Sequence, residues 1–300
     1  MTDDAVTTHI AFADESHWNK GRYRSICTIT LPIESFPYIE GEVRAIVEQM
    51  RSREFKWEDV RGAEQRQAAI DLCEVAVRAA VEGMLRVDVL CWDITDSRHG
   101  VYGRDDKRNF AMMYHKLFKN VLRERWPDDS TWRLYPDENG VMDWNNLQSF
   151  LEAVDTDFPL RQDLLTDGKV TFYFKRRFGI LAIIPSASCE TPMIQLADLF
   201  AGLALFSRAS YDAYVATRGD LSPQLVLPLY GDTQSVQLSN RERERCWVLY
   251  EFNEMCKGQK LGVSLDTRKM LWTPDPTNPM NFWWYEPQCE DDKAPVRGQH

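Results

Sequence analysis

His9-Ile10-Ala11-Phe12-Ala13-Asp14 is an apolar run that ends in an acid, and Glu15 and Ser16 follow it directly. A two-residue period puts Ile10, Phe12 and Asp14 on one face of a strand and Ala11, Ala13 and Glu15 on the other. Residues 23–33 form a second β-prone run, and the polar segment Ser16-His17-Trp18-Asn19-Lys20-Gly21 suits the connection of an antiparallel pair. Beyond this hairpin, Ile39, Val43, Ile46, Val47 and Met50 recur at helical spacing, as do Ile70, Cys73, Val77, Val81 and Met84. Residues 87–94 alternate as a strand, Phe110, Met113, Leu117, Val121 and Leu122 mark a third helix, and residues 131–135 are β-prone. Leu147, Phe150, Leu151 and Val154 predict another helix, and residues 170–174 and 178–184 form two further β-rich runs. The interleaving predicts a mixed α/β architecture.

Residues 192–206 are apolar except for Gln195 and Asp198, which lie three residues apart on one helical face. Thr191 followed by Pro192 is a helix start, and a helix apolar all round is a buried one. After Ser207 the chain becomes polar and Pro-interrupted, and it ends in a Pro- and Trp-rich tail. We therefore expect a core over residues 1–207 and an extension over 208–300, with the tail packed on the core as a strap. Phe282, Trp283, Trp284 and Tyr285 would be its anchor, and Arg241, Arg243 and Arg245, alternating with Glu242 and Glu244, read as a salt-bridged helix start.

The 300 residues carry 36 Lys and Arg against 46 Asp and Glu, a net charge of −10. That balance excludes a polybasic nucleic-acid binder but not a nuclease, whose acidic metal site can sit beside a small basic area. Residues 192–206 are too short and too polar to cross a bilayer, and the first eight residues resemble no secretory or transit signal. Seven scattered cysteines suggest neither a disulfide framework nor a zinc ribbon. A cytoplasmic protein with no membrane partner is expected, with self-association into a homo-oligomer left open. Walker, GxGxxG, GxSxG and HExxH motifs are absent, and Ser186 and Ser188 have no nearby histidine in the sequence.

The acids carry the functional expectation. Asp14 ends a core-facing column, where an ionised carboxylate is costly unless a cation or hydrogen-bond donors compensate it; the alternative is an Asx turn. Asp198 lies in an apolar helix beyond the first turn, where the helix dipole no longer helps it. These two acids, 184 residues apart in sequence, would need a cation if they converged. Mg²⁺ or Mn²⁺ suits such oxygen ligands, and a phosphodiester substrate follows. Asp137 and Glu138, after the strand ending at Tyr135, are both candidates for the third acid, with Asp93 and Asp96 in reserve.

Phe12-Ala13-Asp14-Glu15-Ser16, Phe55-Lys56-Trp57, and Ser186 ahead of Ile194-Gln195-Leu196-Ala197-Asp198-Leu199 resemble the bacterial family catalogued as domain of unknown function 3800. The tail segments Asn278-Pro279-Met280-Asn281-Phe282-Trp283 and Asp292-Lys293-Ala294-Pro295 resemble its longer members. The resemblance implies a ribonuclease H-like mixed sheet flanked by helices and a metal-dependent nuclease, or a relative that kept only the fold. It marks Asp14 and Asp198 as metal ligands, Glu15 as a neighbour and Lys56 as a phosphate or carboxylate partner. Many members carry Gly where this chain has His17, so the turn after the first strand is expected to differ. His17 would carry protons near the metal, or simply be solvated.

The first reading is thus a Mg²⁺- or Mn²⁺-dependent nuclease with Asp14, Asp198 and either Asp137 or Glu138 at its centre, and Gln195 orienting Asp198 or a water. Its rival is a non-catalytic binding or scaffold protein of the same fold, in a mobile-element or phage-defence setting, whose buried acids are held by Lys56 or an arginine; a Lys56 ammonium paired with Asp14 or Asp198 in the metal's place is the discriminating feature. A third class is a hydrolase or transferase acting on a small phosphorylated molecule.

Overall fold

The computed structural model describes residues 6–17, 20–96, 106–138, 142–153, 178–221 and 238–287. Strands β1 (His9–Ser16) and β2 (Tyr23–Pro32) pair antiparallel over the whole of β1, with His9 opposite Pro32 and Ser16 opposite Ser25. Strand β3 (Arg86–Asp93) continues the antiparallel meander. On the other side of β1, β4 (Trp132–Pro136) and β5 (Ile180–Ile183) join in parallel. The six-stranded order is β5-β4-β1-β2-β3-β6, where β6 (Met280–Trp284) lies parallel to β3. This is a mixed α/β sheet of the ribonuclease H-like kind with one added edge strand.

Both faces of the sheet are covered, and the two-residue period sorts its side chains between two cores. Ile10, Phe12, Cys27, Ile29, Val87, Val89 and Phe282 pack beneath α1 (Phe36–Gln49), α2 (Ala63–Val81), α5 (Pro192–Ala209) and α7 (Asn240–Gly258). Ala11, Ala13, Ile26, Leu90, Trp92 and Leu134 face α3 (Asp106–Glu124) and α4 (Trp144–Ala153). A further helix, α6 (Tyr211–Leu221), follows α5.

Several expectations need adjusting. The buried face of α2 is wider than its predicted stripe: Leu72, Val75 and Ala76 are buried, while Val81, at the end of the helix, is exposed. The alternation in β3 does not separate a wet face from a dry one, because helices cover both sides. Thr191 is the N-cap of α5 with Pro192 in the first turn, but the Thr191 side chain makes no capping bond. The aromatic tail is more than a strap, since it supplies β6. The strand expected at 170–174, the basic run 175–177, residues 292–295 and Cys289 lie outside the described residues. The six described cysteines are free, and five of them are buried. Among the described residues no helix is long and apolar enough to cross a membrane.

A buried polar lock joins β6 to β3. Asp88 accepts from Asn281 Nδ2 at 2.9 Å and from Arg86 Nη2 at 3.3 Å, while Arg86 also donates to the carbonyls of Pro276, Thr277 and Asn278. Removing one partner leaves the other's charge buried, which costs several kcal/mol. Asp88→Ala is therefore expected to lower stability by about 3 kcal/mol in urea denaturation. A change within experimental error would show that β6 is held by its apolar side chains alone.

Candidate active site

Asp14 is the last buried residue of β1, on the face covered by α5. Its Oδ1 accepts the Glu15 N–H at 2.6 Å. Next door in β4, Pro136 sits opposite Ala13, and the Asp137 N–H donates to the Ala13 carbonyl at 2.8 Å. Pro136 does not break the strand. Alternation runs through it and brings Asp137 to the Asp14 side, with its carboxylate receiving the N–H groups of Glu138 and Ser188. Glu138 is exposed on the other side. Of the two candidates for the third acid, Asp137 is the one beside Asp14.

Asp198 is the only residue from Pro192 to Ser207 of α5 that is partly rather than fully buried. Asp198 Oδ2 accepts the Trp57 N–H at 2.7 Å, and Gln195, one turn earlier, accepts the Phe55 N–H at 2.7 Å. Gln195 Nε2 donates to the Ser188 carbonyl, also at 2.7 Å. Gln195 therefore does not orient Asp198 directly. It ties residues 55–57 and 188 to the helix, because its three-residue offset aims it at the next stretch of the same segment. Ser186 likewise acts through the backbone: it bridges to Asp137, its N–H donates to Pro136 O at 2.9 Å, and its hydroxyl donates to Ile184 O at 3.0 Å.

The acids feel one another. Burial, then Asp198, Glu15 and Asp137, push the Asp14 carboxyl well above its ordinary value. Burial lifts Asp198 to about 6, helped by Glu58 and Asp137 and opposed by the Trp57 N–H and Lys56. Asp137 is also raised, chiefly by burial. Lys56 is not paired with Asp14 or Asp198; its Nζ lies 3.3 Å from Glu54 Oε1. Burial opposes the ammonium, but Glu54 outweighs it with help from Asp198 and Glu58, and the Lys56 pKa is raised.

Glu15 belongs to the opposite face of the sheet, where its Oε2 accepts the Tyr114 hydroxyl at 2.9 Å. Asp93 is occupied elsewhere, by Arg22 at 2.7 Å. His17 adopts φ +60°, the left-handed conformation that favours glycine, so the turn keeps a glycine-like backbone with a histidine in it. Partial desolvation, then Arg245, Lys20 and Arg241, lower the His17 pKa.

Three carboxylates, from β1, the end of β4 and α5, are oxygen donors of the type a hard divalent cation takes, and each has one or more backbone N–H groups to orient it. Among the described residues no three His, Cys, Asp or Glu side chains stand close enough to hold a metal ion as placed. Like-charged carboxylates repel, and a bound cation would draw them inward.

Sequence reasoning missed three contributors. Trp57 acts through its backbone N–H, which no side-chain pattern reveals. Arg245 lies over the Trp57 ring instead of in a surface ion pair, and Tyr114 reaches Glu15 from α3. One indication was available: Gly202, four residues after Asp198, is a lone glycine in an apolar helix and marks a close approach, here that of the Trp57 indole.

No family model matches this sequence. Two proteins of Methanothermobacter thermautotrophicus, each described as uncharacterized and designated ORF2 and ORF2', are 37% identical to it over 295 residues. Each alignment covers 95% of this chain and 97% of the relative. With that identity along nearly the whole of both sequences, the chain belongs to the family of ORF2 and ORF2'.

Proposed function

We propose that this protein is a metal-dependent nuclease that hydrolyses phosphodiester bonds at Asp14, Asp137 and Asp198. The observation that carries this reading is that acids from three distant parts of the chain, at the ends of β1 and β4 and on α5, share one side of the sheet, with the Asp137 N–H bonded to the residue before Asp14 and with Asp198 and Asp137 both raising the Asp14 pKa. Functional sites are where such costly arrangements collect. In the scaffold reading Lys56 or an arginine holds the acids; the Lys56 ammonium pairs instead with Glu54, which favours a cation-binding role for the acids.

The three carboxylates would hold Mg²⁺ or Mn²⁺, which supplies Lewis-acid polarisation of the phosphate and activation of water. The chain's own contribution is orientation. Backbone N–H groups each fix one oxygen of Asp14 and Asp198, leaving the other for a ligand. Lys56, about half exposed at the rim, offers a positive charge to a substrate phosphate, and His17, kept neutral by its surroundings, can accept a proton. Glu15 supports Asp14 through its N–H and is held by Tyr114. With a net charge of −10, contact with nucleic acid would be confined to a small basic area, and non-specific affinity would be weak and salt-sensitive.

The test is incubation of the protein with labelled single- and double-stranded DNA and RNA in Mg²⁺, Mn²⁺ or EDTA. Cleavage is expected with either metal and not with EDTA, and is expected to disappear in Asp14→Asn. Cleavage that persists in both Asp14→Asn and Asp198→Asn would exclude this site. No cleavage, together with no rise in melting temperature on adding metal, would favour the scaffold role.

A further inference from the structure

Residues 55–59 cross the site between two helices. On the α5 side, the Phe55 and Trp57 N–H groups bond to Gln195 and Asp198, and the indole fills the notch at Gly202. On the α7 side, the Arg245 guanidinium lies 4.9 Å from the centroid of the Trp57 ring, and Nη2 donates to the Trp57 carbonyl at 2.6 Å. One turn earlier, Arg241 donates to the Glu58 carbonyl at 2.5 Å. The capping box at Ser239 and Glu242 fixes the start of α7 and hence the place of both arginines.

Arginines in the first turns of a helix usually keep the guanidinium in water. Arg245 is instead drawn in over the indole, and burial, then Arg241, lower its pKa to about 10. The guanidinium contacts have to offset that desolvation, and they fall on the residue whose N–H holds Asp198.

We propose that Arg245 is a positioning residue that fixes residues 55–59 so that the Trp57 N–H holds the Asp198 carboxylate in place, making the C-terminal extension part of the site. Its functional consequence rests on the metal-site reading above, whereas control of the Trp57 N–H by Arg245 can be measured without it.

The experiment uses the full chain with Arg245→Met, Arg245→Lys and, as a control on the same helix, the exposed Arg243→Ala. Hydrogen exchange of the Trp57 amide and calorimetric binding of Mn²⁺ are read in parallel. In Arg245→Met the Trp57 amide is expected to exchange about tenfold faster, and Mn²⁺ affinity to fall about tenfold. Arg245→Lys, which keeps a cation over the ring, is expected to recover part of both, and Arg243→Ala to match the parent. Should Arg245→Met not fold, the intermediate exchange rate of Arg245→Lys decides the matter. Unchanged Trp57 exchange in both Arg245 variants, or an equal increase in Arg243→Ala, would overturn the proposal. Faster Trp57 exchange in a protein whose parent binds no Mn²⁺ would support the positioning role while contradicting the metal reading.

Discussion

Asp198→Asn is expected to abolish metal-dependent cleavage and, in metal-free buffer, to make the protein more stable. Asp198 has a folded pKa of about 6 against an ordinary 3.8, raised mainly by burial. An acid whose pKa is raised on folding binds its proton more tightly folded than unfolded, so stability falls as pH rises between those two values. At pH 8 the penalty is fully present. Its upper bound is about 3 kcal/mol, from 1.36 kcal/mol per pKa unit. The amide of Asn keeps an oxygen for the Trp57 N–H and carries no charge, so most of that penalty should disappear. A rise of about 5 °C in melting temperature at pH 8 in EDTA is expected, shrinking as pH falls through the folded value of about 6 and reaching zero only below about pH 3, where the parent carboxyl is protonated in both states. Addition of Mn²⁺ should raise the melting temperature of the parent and leave that of the variant unchanged. Asp14→Asn is expected to act in the same direction. The double variant should gain less than the two singles together, because each removes part of the same repulsion. A lower melting temperature at pH 8 would mean that the acids are stabilising ion-pair partners and not an uncompensated cluster.

Gly202→Ala is expected to damage stability and site together. A methyl group at position 202 would fall inside the Trp57 indole, against Cδ1 and Cγ. The ring is buried, stacked beneath Arg245 and edge-on to Phe206, so it has no rotamer change that avoids the clash. Residues 55–59 would have to lift, breaking the Trp57 N–H bond to Asp198. Alanine gains about 1 kcal/mol of helix propensity, against a strain of up to about 3 kcal/mol. A net loss of about 2 kcal/mol follows, read as a lower urea midpoint at unchanged slope. Mn²⁺ affinity should fall about tenfold. Parent-like stability would show that Trp57 is not docked in that notch.

Much of this was legible in the sequence because it rests on periodicity. The alternation of Ile10, Phe12 and Asp14 placed the acid on its face of β1, and the uninterrupted apolarity of α5 exposed Asp198 and Gln195 as exceptions. The ambiguity between Asp137 and Glu138 arose from Pro136, a residue that normally ends strand pairing. It is tolerated here because it is the last residue of β4, after which the Asp137 N–H donates to Ala13 and carries the alternation one residue further. The bonds of Gln195 to the Phe55 N–H and the Ser188 carbonyl are not legible in the sequence, because residues 55 and 188 are brought in only by tertiary packing. The same holds for Arg245: its alternation with Glu242 and Glu244 suggested surface ion pairs, and only the fold shows Trp57 beneath it. The aromatic tail lacked a clear strand pattern because β6 is covered on both faces, by Phe200 and Phe252 on one and by the α3 side on the other.

Whether Asp14, Asp137 and Asp198 share a cation is read from anomalous diffraction of a crystal of the parent protein soaked in Mn²⁺. A peak bounded by the carboxylates of Asp14, Asp137 and Asp198 is expected, and it is expected to be lost in Asp198→Asn. No peak there, or the Lys56 ammonium occupying that position in salt-bridge contact with the acids, would contradict a shared cation site.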